Sequence, residues 1–158
     1  MKAIVMAGGK GTRLRPLTCK LPKPMVPIAG RPMMEYIIEL LKRYNFTEIG
    51  VTLFYLPEII SNYFGDGKDY GVSLQYFIEE TPLGTAGSVK NAENFLDQTF
   101  LVISGDALTD INLHEVLAFH RTRQALVTIV LTKVNNPLDY GVVITDVEGK
   151  IKRFLEKP

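Results

Sequence analysis

The feature that most limits this chain's choice of fold is an alternation of short apolar runs with segments whose apolar residues recur every three or four positions. Short continuous runs suit buried strands and the longer period suits helices, so their alternation predicts an α/β sheet of parallel strands joined by crossover helices. The strand candidates are Ala3 to Met6, Ile49 to Tyr55, Val72 to Ile78, Phe100 to Ser104 and Leu126 to Leu131. Phe100 to Ile103 and Leu126 to Leu131 are almost unbroken in apolar character, which predicts central strands covered on both faces.

Between the strands, Met33, Met34, Ile37, Ile38 and Leu41 follow the helical spacing, with Glu35, Glu39, Lys42 and Arg43 on the other positions. Pro32 suits the first turn of that helix. Pro57 opens a second helix bearing Ile59, Ile60, Tyr63 and Phe64, which Gly65-Asp66-Gly67 stops. Thr85 is placed to cap a helix carrying Ala86, Val89 and Leu96, and Asn112 to cap another, with Glu115 as the capping-box acid. Gly141 to Thr145 and Lys150 to Leu155, joined by Asp146-Val147-Glu148-Gly149, read as a hairpin.

Charge and cysteine content narrow the function classes. The 158 residues carry 18 Lys+Arg against 17 Asp+Glu, a balance that lacks the basic excess of a general nucleic-acid coat protein. No apolar run approaches the ~20 residues that span a bilayer, and the apolar start of the chain reaches Gly8 and Gly9 too early for a signal peptide. The single cysteine, Cys19, forms no internal bridge, which fits the cytoplasm better than a disulfide-stapled secreted module. One domain of this length is large enough for a core without disulfides.

The loop from Gly8 to Pro32 is long for a compact connection, and it concentrates glycine, proline and cations. Glycines without a Cβ let successive backbone N–H groups surround an anion, so Gly8-Gly9-Lys10-Gly11-Thr12-Arg13 is a phosphate cradle by chemistry. It fits neither familiar template: the dinucleotide pattern needs glycine where Leu14 stands, and the P-loop needs Ser or Thr where Gly11 stands. A tight strand-exit turn explains the glycines alone equally well. Arg13 favours the cradle, because a guanidinium holds two phosphate oxygens at once. Lys23, between Pro22 and Pro24, sits on a stiffened segment that presents its ammonium from a prepared position.

Gly8-Gly9-Lys10-Gly11-Thr12-Arg13-Leu14-Arg15-Pro16-Leu17-Thr18, then Pro22-Lys23-Pro24-Met25 and Gly30-Arg31-Pro32-Met33, resembles the N-terminal signature of the sugar-1-phosphate nucleotidyltransferases. The resemblance continues, in family order, through Pro82-Leu83-Gly84-Thr85-Ala86-Gly87, Gly105-Asp106, Tyr140-Gly141-Val142-Val143 and Glu156-Lys157-Pro158. It implies a Rossmann-like fold, a mostly parallel central sheet with helices on both faces. It also implies transfer of a nucleoside monophosphate from a triphosphate to a sugar 1-phosphate, with release of pyrophosphate.

By that resemblance, Ala7, Gly8, Gly9, Gly11 and Thr12 hold base and phosphates, Arg13 contacts the leaving β and γ phosphates, and Lys23 neutralises the α-phosphate. The nucleophile is an already ionised phosphate oxygen, so catalysis reduces to alignment and charge neutralisation, and neither His114 nor His120 is needed. Asp106, after a buried run and Gly105, falls at the C-terminal edge of a strand, where open α/β sheets bind ligands. The resemblance makes it a Mg2+ ligand, with Asp110 the weaker second candidate. Pro82, Gly84 and Thr85 resemble the base- and ribose-contacting turn. Glu79 or Glu80 stands where relatives contact the base. Tyr140 and Gly141 resemble the sugar-side loop, with Glu156 accepting from sugar hydroxyls and Lys157 clamping the sugar phosphate.

The chain departs from the family by stopping directly after Glu156-Lys157-Pro158, where relatives continue into a segment with a second magnesium-binding Asp. The expectation is therefore the N-terminal nucleotide-binding part of a catalytic domain, its C-terminal part missing. The wording of Pro82 to Gly87 is closer to mannose-1-phosphate guanylyltransferases than to the thymidylyl enzymes acting on glucose 1-phosphate, and the glucose-specific alternatives, thymidylyl or uridylyl, remain open. So do a non-catalytic nucleotide-sugar-sensing subunit, a fragment active only with its missing half, and a homo-oligomer.

Overall fold

In the computed structural model, which describes residues 1–137 and 140–156 (for Glu156 the backbone alone), the first apolar run becomes β1 (Lys2–Met6), with Ala3, Ile4 and Val5 fully buried. The long loop after it is built from 3-10 turns at Thr12–Leu14 and Lys23–Met25 and a small antiparallel ladder, β2 (Pro27–Ile28) with β3 (Arg31–Pro32). It runs directly into α1 (Met33–Arg43), whose Met34, Ile37, Ile38, Leu40 and Leu41 form one buried stripe. Burying each such side chain contributes about 1.5–3 kcal/mol, so this stripe anchors the end of the loop to the core. Pro32 stands at the N-cap position rather than inside the first turn. Arg31 ties the entry down: its Nε donates to Glu35 Oε1 at 2.7 Å and a second guanidinium nitrogen bonds Glu39. Those two carboxylates hold the Arg31 pKa above its ordinary value.

The chain continues through β4 (Glu48–Leu53), α2 (Pro57–Phe64), β5 (Ser73–Ile78), α3 (Gly84–Asn91), β6 (Leu101–Ser104), α4 (Leu113–Arg123), β7 (Gly141–Thr145) and β8 (Ile151–Glu156). The main sheet is parallel throughout, in the order β5-β4-β1-β6. The chain therefore leaves β1 toward β4 on one side and returns to place β6 on the other. The change of direction falls between β1 and β6, the kind of switch point at which strand ends part and open α/β sheets bind ligands.

The structure divides into two compact units, Met1–Ile111 and the stretch from Asn112 onward. In the second, Asn112 caps α4 as expected: its Oδ1 accepts from the His114 and Glu115 N–H groups at 3.1 and 3.3 Å, and its Nδ2 donates to Glu115 Oε1 at 2.9 Å. The expected hairpin is β7 paired with β8, and Asp146 closes its turn by accepting from Glu148 and Lys150 N–H. His120 Nδ1 lies 2.9 Å from Thr128 Oγ1.

Three expectations are corrected. The run Phe100 to Ser104 supplies an edge strand, not a central one, and Val102 is 38% exposed. Leu126 to Leu131 forms no strand, and Leu126 is 99% exposed. In both cases an apolar run signals only suitability for burial. A strand's place in a sheet depends on partners distant in sequence, and the central positions go to β1 and β4. Finally, Thr85 does not cap α3: Leu83 holds the cap position, its N–H bonded to Glu79 Oε2 at 3.2 Å, and the helix ends at Asn91, before Leu96. A carboxylate four residues upstream has displaced the local hydroxyl as the tether of that turn.

Candidate functional site

A cleft of about 330 Å³ lies within the first unit, at the C-terminal ends of β1, β4 and β6. Sheet register builds its floor. Met6 is paired with Ser104 on one side and with Thr52 on the other, and Thr52 with Phe77. Register partners in a parallel sheet share a face, so Ser104, Met6 and Thr52 form one row, and all three line the cleft. Two residues further along each strand the same face carries Asp106, Gly8, Phe54 and Glu79, which form the next row of the wall. The ladder holds this far: Gly105 N–H bonds Met6 O, Ala7 N–H bonds Thr52 O, and Glu79 N–H bonds Leu53 O, at 2.8, 2.9 and 2.8 Å.

The long loop delivers Lys23 to this wall. Pro22 and Pro24 stiffen its approach, and Pro24 packs where Gly105 has no side chain: a Cβ on Gly105 would lie 3.1 Å from Pro24 Cγ and 3.2 Å from Met6 O. That close approach sets the neighbours of these residues side by side, and Lys23 Nζ forms an ion pair with Asp106 Oδ2, both side chains about one-third exposed at 33% and 29%. Further back, Gly11 takes φ 59°, and its missing Cβ leaves room for Thr18 and Lys23. The buried Thr18 hydroxyl donates to Gly11 O at 2.6 Å, while Tyr55 Oη donates to the carbonyls of Thr18 and Cys19 at 3.1 Å each. These contacts make the cradle a braced structure rather than a slack loop.

Of the residues singled out in the sequence, Ala7, Gly8, Gly9, Lys23, Glu79, Pro82, Gly84, Thr85 and Asp106 converge on the cleft. Glu79 is 93% buried by residue (7% exposed) while Glu80 is exposed, so the structure separates two acids the sequence left equivalent. Gly11, Thr12 and Arg13 do not line the cleft: Gly11 supports the loop, and Arg13 stands exposed on the Thr12–Leu14 turn. Asp110 is exposed and also outside it. In the second unit, the β7–β8 register sets Gly141 opposite Glu156, with Tyr140 exposed just before it. Lys157 and the side chain of Glu156 lie outside the described residues.

Sequence reading missed Thr52, Phe54, Ser88 and Ser104 as cleft residues. Thr52 was the most readable of these, as the one hydroxyl within the apolar run Ile49 to Leu53, but a β-branched residue in a strand draws no notice. Thr52 Oγ1 and Glu79 Oε1 are both buried without a hydrogen-bond partner. Buried polar atoms in folded proteins are nearly always paired, so two orphans lining one cleft mark it as a place built for a polar ligand.

The profile of the family described as Nucleotidyl transferase matches residues 2–158. The whole chain is 43% identical to a UTP--glucose-1-phosphate uridylyltransferase of Synechocystis sp. and 43% identical to a mannose-1-phosphate guanyltransferase of Candida albicans, covering 44% and 45% of those relatives. It thus spans less than half the length of the curated relatives it matches. Among solved structures, a Bacillus anthracis protein described as a glucose-1-phosphate thymidylyltransferase, in complex with sucrose, superposes with TM-score 0.89 at 27% identity, over 100% of this chain and 65% of that one. HddC from Yersinia pseudotuberculosis, complexed with GMP-PN, superposes with TM-score 0.82 at 28% identity, over 99% of this chain and 69% of that one. With its motifs in family order and its cleft at the sheet's switch point, the chain belongs to the nucleotidyl transferase family.

Proposed function

We propose that this chain carries the nucleotide half of a sugar-1-phosphate nucleotidyltransferase, which makes a nucleotide sugar and pyrophosphate from a nucleoside triphosphate and a sugar 1-phosphate. The observation that carries the reading is the convergence of the Gly8-Gly9 backbone, Lys23 and Asp106 on one cleft at the β1–β6 switch point. An oxygen of the sugar phosphate attacks the α-phosphorus, the new P–O bond forms, and the bond to the β-phosphate oxygen breaks, releasing pyrophosphate. The attacking oxygen has no proton to lose, so the chain's work is to hold two anions together against their repulsion. Lys23 is the cation at the reacting phosphate. Backbone N–H groups at Gly8 and Gly9 orient the nucleotide, and Arg13, exposed on the Thr12–Leu14 turn outside the cleft, is assigned to the leaving phosphates by the resemblance alone.

Among the described residues no group of three or more His, Cys, Asp or Glu is poised to hold a metal. Magnesium needs none, because one or two carboxylates with substrate phosphates and water complete its shell. Asp106, the carboxylate beside Lys23, fits that requirement. When bound there, Mg2+ supplies Lewis-acid charge to the α-phosphate.

Guanine and mannose are the finer reading. The turn Pro82-Leu83-Gly84-Thr85-Ala86-Gly87 supports it. So does Glu79, whose buried Oε1 has no partner and suits the donors that guanine offers at its ring N1–H and exocyclic amino group. A uridylyl or thymidylyl enzyme acting on glucose 1-phosphate is the second reading, favoured by the Synechocystis relative. The Lys23–Asp106 pair argues against a non-catalytic sensing subunit, which has no use for a cation and a carboxylate at the reacting phosphate. A cytoplasmic setting suits the single free Cys19, and no helix among the described residues is long and apolar enough to cross a membrane.

The test is pyrophosphate release by the full gene product across GTP, UTP and dTTP crossed with mannose and glucose 1-phosphates. GTP with mannose 1-phosphate is expected to dominate. Lys23→Ala and Asp106→Asn are each expected to lower kcat by about 10²- to 10³-fold, the scale of removing one electrostatic contact to a transition state. Turnover that survives either change overturns the assignment of that residue.

A further inference from the structure

The stretch from Gly9 to Leu21 carries most of the glycine cradle and leads to Lys23, yet Thr18 is its one buried residue. Among the described residues, its hydrogen bonds stay within the stretch, apart from those that Tyr55 Oη donates to the Thr18 and Cys19 carbonyls at 3.1 Å each. Lys10 Nζ, 5.7 Å from the centre of the Phe54 ring, adds a looser contact. Tyr55 stands two residues beyond the end of β4, next to the cleft residue Phe54, so the anchor belongs to the sheet end and not to the loop. Thr18 carries the restraint inward. Its hydroxyl donates to Gly11 O at 2.6 Å, and a Cβ on Gly11 would lie 3.0 Å from Thr18 Cγ2 and 3.1 Å from Lys23 Cβ. Gly11, at φ 59°, therefore packs against both the buried threonine and the root of the lysine side chain.

We propose that Tyr55 is a positioning residue for the transfer reaction: its phenol, through Thr18 and Gly11, fixes the root of Lys23 so that the ammonium meets the reacting phosphate. This rests on Lys23 being the cation at that phosphate. The two halves of the loop are held differently. Gly8 needs nothing from the phenol, because it packs on the strand end itself: a Cβ there would lie 3.3 Å from both the N and the Cβ of Phe54. The far half is tied to the sheet by the buried Thr18 and the single proton that Tyr55 shares between two carbonyls. A catalytic group displaced by about 1 Å can lose about 10²-fold in rate, because its charge is kept while its alignment is lost. The contribution of Tyr55 therefore falls on kcat, where Lys23 acts, and not on ground-state binding of the nucleotide, where Gly8 and Gly9 act.

Steady-state pyrophosphate release by the full gene product tests this, with the triphosphate and sugar 1-phosphate that the unmodified protein uses best. Tyr55→Phe, which keeps the ring and removes only the hydroxyl, is expected to lower kcat about tenfold, the scale of one hydrogen bond, with KM for the triphosphate unchanged. Thr18→Val, which keeps the shape and removes the hydroxyl, is expected to do the same, and Thr18→Ser to retain most of the unmodified kcat. Because the two hydroxyls act in series, the Tyr55→Phe, Thr18→Val double variant is expected to lose no more than the larger single loss. Native circular dichroism is required of each variant, and if Thr18→Val does not fold, Tyr55→Phe decides. A Tyr55→Phe enzyme with unmodified kcat, where Lys23→Ala has lost turnover, overturns the proposal and leaves the reading of Lys23 standing. So does a loss seen only as a raised KM, or two losses that multiply. No turnover by the unmodified protein, or turnover that survives Lys23→Ala, removes that reading and the proposal with it.

Discussion

The two units contain similar apolar runs and treat them differently. In the first unit, Ile4, Val5, Ile49, Val51 and Leu53 are wholly buried within a four-stranded sheet and under its helices. Among the described residues of the second, Leu113 is the one buried hydrophobic side chain, while Leu126, Val127, Phe154 and Val147 are 99%, 71%, 62% and 105% exposed. An apolar run becomes core only when a second layer and a ladder partner meet it. Strand β1 has both, with neighbours on either edge, whereas among the described residues β7 and β8 pair only with each other. A two-stranded hairpin alone is at best marginally stable in water. The cleft belongs to the unit with the four-stranded sheet, whose laddered backbone suits the placement of ionic groups.

This contrast can be broken most directly in the core. Ile4→Ala is expected to destabilise the first unit by about 2–5 kcal/mol, whereas Leu126→Ala changes stability by no more than about 0.5 kcal/mol. Urea midpoints for the two variants provide the check. Equal losses would mean that the exposed run carries packing the structure does not show. Next in size, Asn112→Ala removes the cap of α4 and is expected to cost about 1 kcal/mol, localised to the second unit. Hydrogen exchange should then quicken at the His114 and Glu115 amides and stay unchanged in β1.

The smallest effect concerns Asp146. Its carboxyl is held below its ordinary pKa of 3.8, first by the Lys150 N–H and then by Lys152, whose Nζ lies 3.1 Å away. A depressed carboxylate contributes stability that is fully present above its unfolded pKa and lost as pH falls through the folded one. The hairpin turn should therefore hold at neutral pH and loosen below about pH 4. Amide exchange at Glu148 and Lys150 measures this, and Asp146→Asn should flatten the pH dependence.

Much of the fold was legible because it is written in local chemistry. Apolar period marked the helices, Pro57 and Gly65 bounded α2, and Asn112 with Glu115 marked the start of α4. The turn acid Asp146 and Gly149, at φ 84°, marked the hairpin. The candidate site was legible where its residues stand in short motifs, as Gly8, Lys23 and Asp106 do. It was not legible at Thr52, Phe54 and Ser104, which become cleft residues only through the register of strands far apart in the chain. For Glu79 and Glu80, adjacent identical acids differ only in which side of the backbone they leave, and the ladder bond from Glu79 N–H to Leu53 O decides that.

The sequence by itself determined the kinds of element and the chemistry each motif carries, because capping, turn formation and amphipathic period act over a few residues. The tertiary structure alone decided that β1 and β4 are central, that Phe100 to Ser104 forms an edge, and that Leu126 to Leu131 joins no sheet. It also decided that Lys23 meets Asp106, through a proline that fits against a glycine having no side chain. Those outcomes depend on hydrogen bonds and close contacts between segments remote in sequence. Such contacts exist only once the chain has chosen its neighbours.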